Sequence, residues 1–232
     1  MPPTIRENIE RIEEQIARAR EKSSQRGEVT LIAVSKTHPA ESIREAYEAG
    51  LRHFGENRVQ EWEGKRDALQ DLQATWHLIG HLQSNKSARA AKVFHTVDSV
   101  DDFALAQRLD HARAELNAKE KLRILIEVRV ADEASKTGAE ISAVPALLEK
   151  IAQLKNLGVA GLMCIPPFLD DAEKVRPYFQ RLRKLRDDLA VSAGLPLSVL
   201  SMGMSHDFPV AIEEGATEVR IGTAIFGSRP KP

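Results

Sequence analysis

Val29-Thr30-Leu31-Ile32-Ala33-Val34-Ser35, followed at once by Lys36-Thr37-His38-Pro39, sets the pattern of the whole chain. The run is short, apolar and rich in β-branched residues, and turn-forming residues bound it, as for a buried strand. Seven further runs of this kind follow at 51–54, 75–79, 93–97, 122–130, 157–163, 197–200 and 218–221. Amphipathic stretches separate them at 41–49, 57–72, 84–92, 100–118, 141–155, 172–191 and 207–214. Gly50, Gly194 and Gly215 supply stop signals, and Ser99 with Asp102 a start signal. Strands alternating with helices run parallel, because a parallel pair needs a crossover connection. Eight such units over about 200 residues predict an α/β fold, a single (β/α)8 barrel. A doubly wound open sheet is the alternative. Its first βα turn usually carries Gly-x-Gly-x-x-Gly, and Ser35-Lys36-Thr37-His38-Pro39 has no glycine.

Upstream of the first run lies an extra helix. Thr4 and Glu7 fit a capping box, and Ile5, Ile9, Ile12 and Ile16 form one apolar stripe. Gly27 is its expected end. No linker or repeat divides the sequence, so residues 1–232 are expected to form one domain, with nothing left over for a second.

The composition excludes several classes. Lys plus Arg is 33 against 34 for Asp plus Glu, a net charge of -1. Nucleic-acid and anionic-membrane binders normally carry a basic excess. A lone cysteine, Cys164, rules out an internal disulfide and any cysteine-rich metal site. No run approaches the ~20 apolar residues of a membrane span. Charged residues from Arg6 to Glu14 occupy the place of a signal-peptide core. A cytoplasmic protein is expected.

In such a barrel, chemistry collects at the C-terminal strand ends. The first run ends in Lys36, which alternation places on one face with Ile32 and Val34. Partial burial there would favour the neutral, nucleophilic amine; a solvated strand-end lysine is the plainer reading. Ser201-Met202-Gly203-Met204-Ser205 and Arg220-Ile221-Gly222-Thr223 close the last two strands. Their glycines and hydroxyls could cradle a phosphate at the usual site of this fold, or merely form turns. Arg220 lies within a strand and needs an acceptor, either a ligand atom or a core carboxylate such as Glu56 or Glu127. Asn57 is either a mouth residue or a helix N-cap. His77 and His81 span a strand-to-turn segment, so helical zinc-ligand geometry is absent, and a satisfied core histidine is the simpler account of His77. The basic run from Arg176 to Arg186 reads as a solvated helix face, and Cys164 as a buried small hydrophobe.

A lysine at the first strand end, a phosphate cradle at the last two and an arginine between them make a site for pyridoxal 5′-phosphate (PLP). The motifs agree. Ala33-Val34-Ser35-Lys36-Thr37, Phe54 through Glu61, Trp76-His77-Leu78-Ile79-Gly80, Leu82-Gln83-Ser84-Asn85-Lys86 and Ser135-Lys136-Thr137-Gly138 occur in order. Gly161-Leu162-Met163, Leu200 through Ser205 with Asp207, and Val219 through Gly227 complete the set. Across nearly its whole length the chain resembles the PLP homeostasis protein family, the PLP-binding relatives of the alanine racemase N-terminal barrel. The resemblance implies PLP held as a Schiff base on Lys36. It implies phosphate contacts from Ser201, Gly222 and Thr223, Arg220 at the pyridine nitrogen, and Asn57 in the cofactor pocket. It also implies a monomeric carrier or buffer in B6 and amino-acid homeostasis, with apo PLP enzymes as recipients and no robust catalysis. His38 stands where many relatives have lysine and Arg58 where some have tyrosine, and the tail Arg229-Pro230-Lys231-Pro232 is short and irregular. The rival is a PLP-dependent amino-acid racemase, which needs a second acid/base opposite the lysine. The two tyrosines, Tyr47 and Tyr178, both fall in expected outer helices. A third possibility is a sugar-phosphate barrel enzyme without PLP.

Overall fold

A computed structural model describes residues 3–23, 27–131 and 137–227. The strands are β1 (Thr30–Val34), β2 (His53–Glu56), β3 (Thr75–Leu78), β4 (Thr96–Val100), β5 (Leu122–Arg129), β6 (Ala139–Glu140), β7 (Leu157–Met163), β8 (Val199–Ser201) and β9 (Glu218–Ile221). All pair in parallel, in the order β4-β3-β2-β1-β9-β8-β7-β5, and β4 with β5 closes the ring. The two-residue β6 adds only to the outside of β5. The expected (β/α)8 barrel is therefore present. Ser135 and Lys136 of the motif above, and the tail from Ser228 onward, lie outside the described residues.

The helices are α1 (Ile5–Lys22), α2 (Ala40–Glu48), α3 (Val59–Arg66), α4 (Ser87–Val93), α5 (Phe103–Glu115), α6 (Val144–Ala152), α7 (Arg176–Ala193), α8 (Phe208–Glu213) and α9 (Thr223–Phe226). Among the described residues no helix is long and apolar enough to cross a membrane. The Thr4–Glu7 capping box is formed. Ile9, Ile12 and Ile16 are buried, and α1 packs on α2, α8 and α9. Asn8 Nδ2 donates to the Ile225 carbonyl at 2.9 Å, tying α1 to the last helix.

Boundaries moved where local chemistry overrode pattern. α1 ends at Lys22 rather than near Gly27, its cap Ser23 donating back to Arg20. The fourth strand starts at Thr96; Val93 instead ends α4, where its carbonyl accepts from Trp62 Nε1. Asp102 alone caps α5, accepting from the Leu105 N–H at 2.6 Å. Ser99 belongs to β4 and donates to the Gly80 carbonyl. The basic run on α7 is not simply solvated. Arg176 pairs with Glu173, Glu213 and Glu214, Arg183 pairs with Glu214, and Arg186 is buried.

Alternation divides the strands. Ala33, Phe54, Trp76, Val97, Ile124, Leu162, Leu200 and Val219 join the core shared with the helices. Their neighbours Ile32, His77, Asp98, Arg123, Glu218 and Arg220 turn into the barrel. At the N-terminal end this interior is ionic. His77 Nδ1 lies 3.0 Å from Asp98 Oδ2, and His77 Nε2 lies 3.0 Å from His53 Nδ1. Thr96 donates to Asp98, and Arg123 pairs with Glu218 at 2.5 Å. The carboxylate assigns the His77 proton to Nδ1, leaving Nε2 to accept from His53. Burial acts to raise the Asp98 pKa, but His77 and the hydrogen bonds from His77 and Thr96 hold it below the ordinary range. His77 is thus a satisfied core histidine, and His81, at the surface, does not join it. His77, Asp98 and Glu218 do bring one ligand-type atom each within 4.8 Å of one another. His77 and Asp98 are engaged by protein groups, and Glu218 pairs with Arg123 through Oε1 while its buried Oε2 finds no hydrogen-bond partner among the described residues.

Two expectations follow. Gly161 brings β7 so close to β8 that a Cβ would lie 1.9 Å from the Val199 carbonyl oxygen. Gly161→Ala should lower stability by about 2–3 kcal/mol; an unchanged urea midpoint would contradict that approach. The pKa of His53 is pushed down to about 4 by burial first, then by His77 and Arg123. An unfolded histidine titrates near ~6.5, so the unfolded state takes up the proton first as pH falls. The His53 contribution is full above about pH 6.5 and is lost as pH drops toward about 4. Urea midpoints measured across that window should fall less steeply for His53→Gln than for the parent, and parallel curves would refute this.

Candidate functional site

Closure places β1 between β2 and β9, with β8 beyond β9. The sequence-derived residues therefore fall on four consecutive strand ends at one mouth. Lys36 lies two residues past β1 and is half-buried. Val34 pairs with Gly55, so the same register carried forward sets Lys36 level with Asn57. Ile32 pairs with Arg220, which sets Val34 level with Gly222 on the other side. The Gly222 contact confirms this. A Cβ at Gly222 would lie 3.2 Å from the Val34 carbonyl oxygen and 3.3 Å from Val34 Cβ. A side chain there would crowd Val34, so the small residue suits the close approach of the turn after β9 to β1.

Arg220 is 4% exposed and projects into the barrel. One terminal nitrogen donates to Ser201 Oγ at 2.8 Å, the other to the Cys164 carbonyl at 2.8 Å. Neither acceptor is charged. The ion pair to Glu56 or Glu127 does not form; among the described residues Arg220 makes no salt bridge. Glu127 instead accepts from Thr137 Oγ1 at 2.7 Å, and burial, its largest influence, raises its pKa. The guanidinium cannot shed its proton; among the described residues its direct hydrogen-bond partners are neutral, while the buried carboxyls of Glu127 and Asp207 feel its charge without pairing with it. Ser201 is fully buried at the end of β8, and while its oxygen accepts from Arg220 its hydroxyl can still donate. Cys164 serves through its carbonyl. Burial pushes its thiol pKa up to about 12, which leaves it inert.

The turn after β8 is held open by Gly203 at φ +94, where a Cβ would meet Ala211 Cβ at 2.6 Å. Asp207 Oδ1 accepts the Met204 N–H at 2.6 Å, and Ser205 Oγ accepts from the Ala224 N–H at 3.4 Å. The second glycine turn is thereby tied to the first. Thr223 opens α9 and is exposed toward solvent. Asn57 is not a helix cap: Arg58 takes that position, without a side-chain hydrogen bond. Asn57 instead lines a cleft of about 430 Å³ with His81, Gln83 and Lys86. His38 is buried and stacked on Phe226, ring centroids 4.8 Å apart, so the turn bearing Lys36 also rests on α9.

Sequence reading missed what holds that turn. Thr37 has φ +66, a left-handed conformation that costs a threonine about 1–3 kcal/mol. Its N–H donates to Glu61 Oε1 at 2.5 Å. Lys65 Nζ donates to the Ser35 carbonyl and to Glu56 and Glu61. The only trace of this in the sequence is the Glu61–Lys65 spacing of four on a helix.

Known proteins share this fold and much of this sequence. Residues 8–230 match the family model for the alanine racemase N-terminal domain. The pyridoxal phosphate homeostasis protein of Aquifex aeolicus is 47% identical over 225 residues, covering 96% of this chain and 97% of that one. The structure of PipY from Synechococcus elongatus without PLP superposes with a TM-score of 0.87 at 42% identity, covering 97% of this chain and 100% of PipY. PipY with PLP bound gives 0.83 at 43% identity, covering 93% of this chain and 100% of PipY.

Proposed function

Because the chain belongs to the pyridoxal phosphate homeostasis protein family, built on the alanine racemase N-terminal fold, we propose that it binds PLP at the barrel mouth and acts in B6 and amino-acid homeostasis as a carrier or buffer. Lys36 would supply the amine that holds the cofactor's aldehyde as a Schiff base. Ser201, Gly222 and Thr223 take the phosphate, Arg220 meets the ring nitrogen, and Asn57 flanks the lysine on the β2 side. In this reading residues 1–232 form one domain that works as a cytoplasmic monomer and supplies apo PLP enzymes.

The observation that carries the reading is the buried, ion-pair-free guanidinium of Arg220 on the strand next to Lys36. A ligand acceptor completes it, and the glycine approach at Gly222 leaves backbone rather than side chain to line the phosphate end. When bound, PLP would supply an electrophilic aldehyde and an electron-withdrawing ring. Arginine opposes protonation of a neighbouring ring nitrogen, which weakens that electron sink and suits holding over turnover. Both tyrosines support the same side. Tyr47 lies on α2, its hydroxyl accepting from the Gln73 N–H, and Tyr178 lies on α7.

Reconstituted protein should show visible Schiff-base absorbance and should be fixed by borohydride at Lys36. Lys36→Ala should lose both. Colourless protein after incubation with PLP would sink the proposal. For the carrier role, an apo PLP enzyme should regain activity faster from the loaded protein than from an equal concentration of free PLP. Sustained racemisation of any amino acid above the rate with free PLP would favour the enzymatic rival.

A further inference from the structure

The segment Ser35-Lys36-Thr37 is gripped on both sides of the lysine by a single set of buried and half-buried charges. On the N-terminal side, Ser35 Oγ donates to Glu56 Oε1 at 2.8 Å, and the Ser35 carbonyl accepts from Lys65 Nζ at 3.0 Å. On the C-terminal side, the Thr37 N–H donates to Glu61 Oε1 at 2.5 Å. Lys65 joins the two sides, donating to Glu56 Oε1 at 3.0 Å and to Glu61 Oε1 at 2.8 Å. Glu56 is fully buried, and among the described residues its Oε2 has no hydrogen-bond partner. The ammonium of Lys65 is therefore the group that makes its burial tolerable.

We propose that Glu61 is a positioning residue for Lys36, acting through Thr37 and Lys65. This rests on the cofactor reading above for its consequence, though not for its geometry. Thr37 is β-branched and has no intrinsic preference for φ +66. A charge-assisted hydrogen bond from its N–H holds that conformation. Without it the peptide joining Lys36 to Thr37 relaxes toward the ordinary regions of backbone space. The Lys36 Cα then rotates, and a side chain with several rotatable bonds carries the error out to Nζ. Fixing a nucleophile within reach of its target is where much of its effectiveness arises.

The test uses Glu61→Ala and Glu61→Gln, the latter retaining a carbonyl acceptor for Thr37. Glu61 lies at the edge of the site, with its side chain 23% exposed, so both variants should fold. In PLP-free protein, hydrogen exchange at the Thr37 amide should quicken in Glu61→Ala and recover most of the way in Glu61→Gln. In loaded protein, PLP release to an apo acceptor should be ~tenfold faster in Glu61→Ala, as expected for losing one hydrogen bond to a charged group. The thermal midpoint of the PLP-free protein should stay close to the parent value. Unchanged Thr37 exchange and PLP release in Glu61→Ala would overturn the proposal. So would a midpoint that falls in step with release, since that marks a merely structural residue. If the parent takes up no PLP, the cofactor reading fails, and Thr37 exchange alone still decides whether Glu61 holds the turn.

Discussion

Closure of the sheet sets β9 beside β1, and the rest of the mouth depends on that contact. The glycine at 222 permits it, because any side chain there would press on Val34. Once the two strands meet, Lys36 from the start of the chain and Arg220 from its end share one rim. The parallel register then fixes their neighbours, with Asn57 on one side of the lysine and Ser201 beyond the arginine. α1 reinforces the same seam through the Asn8 bond to Ile225, and His38 does so through its stack on Phe226. The leading helix is thus a brace across the last barrel unit.

The strands were legible because most are buried on both faces and read as unbroken apolar runs. Reading weakened where polar residues entered a strand. Asp98 and Ser99 disguise the end of β4, since neither looks like a strand residue until His77 and the Gly80 carbonyl are known to await them. The apolar Val93 drew the expected strand too early for the converse reason. Lys36, Ser201, Arg220 and Gly222 were readable as candidates at one mouth because strand-end position and residue chemistry pointed the same way. Glu61 and Lys65 were not. Their role comes from α3 folding back over the β1 turn, and a helical Glu–Lys pair is far more often a surface ornament than a brace.

The two ends of the barrel treat charge differently. At the base, each ionic group faces another: Asp98 meets His77, and Glu218 meets Arg123. Removing either partner there would strand a buried charge, so the arrangement favours one rigid packing. At the mouth, Arg220 is as deeply buried but is met by a hydroxyl and a carbonyl. Neutral dipoles satisfy its hydrogen-bond donors, and Glu127 and Asp207 feel its charge without forming an ion pair with it.

That charge also bears on what a bound ring could do there. A fixed cation at a pyridine nitrogen lowers the proton affinity of that nitrogen, whereas a carboxylate would raise it. An unprotonated ring withdraws fewer electrons from the bond under attack, so carbanion chemistry gains little from such a site. Capture of an aldehyde by an amine requires no such withdrawal; it needs a lysine held at the right place and an anchor for the phosphate. In the proposed site, Lys36 on its gripped turn and the glycine turns after β8 and β9 would answer to those two needs. With the cofactor placed as proposed, the electrostatics of the mouth and the bracing of the turn would both suit reversible holding over turnover.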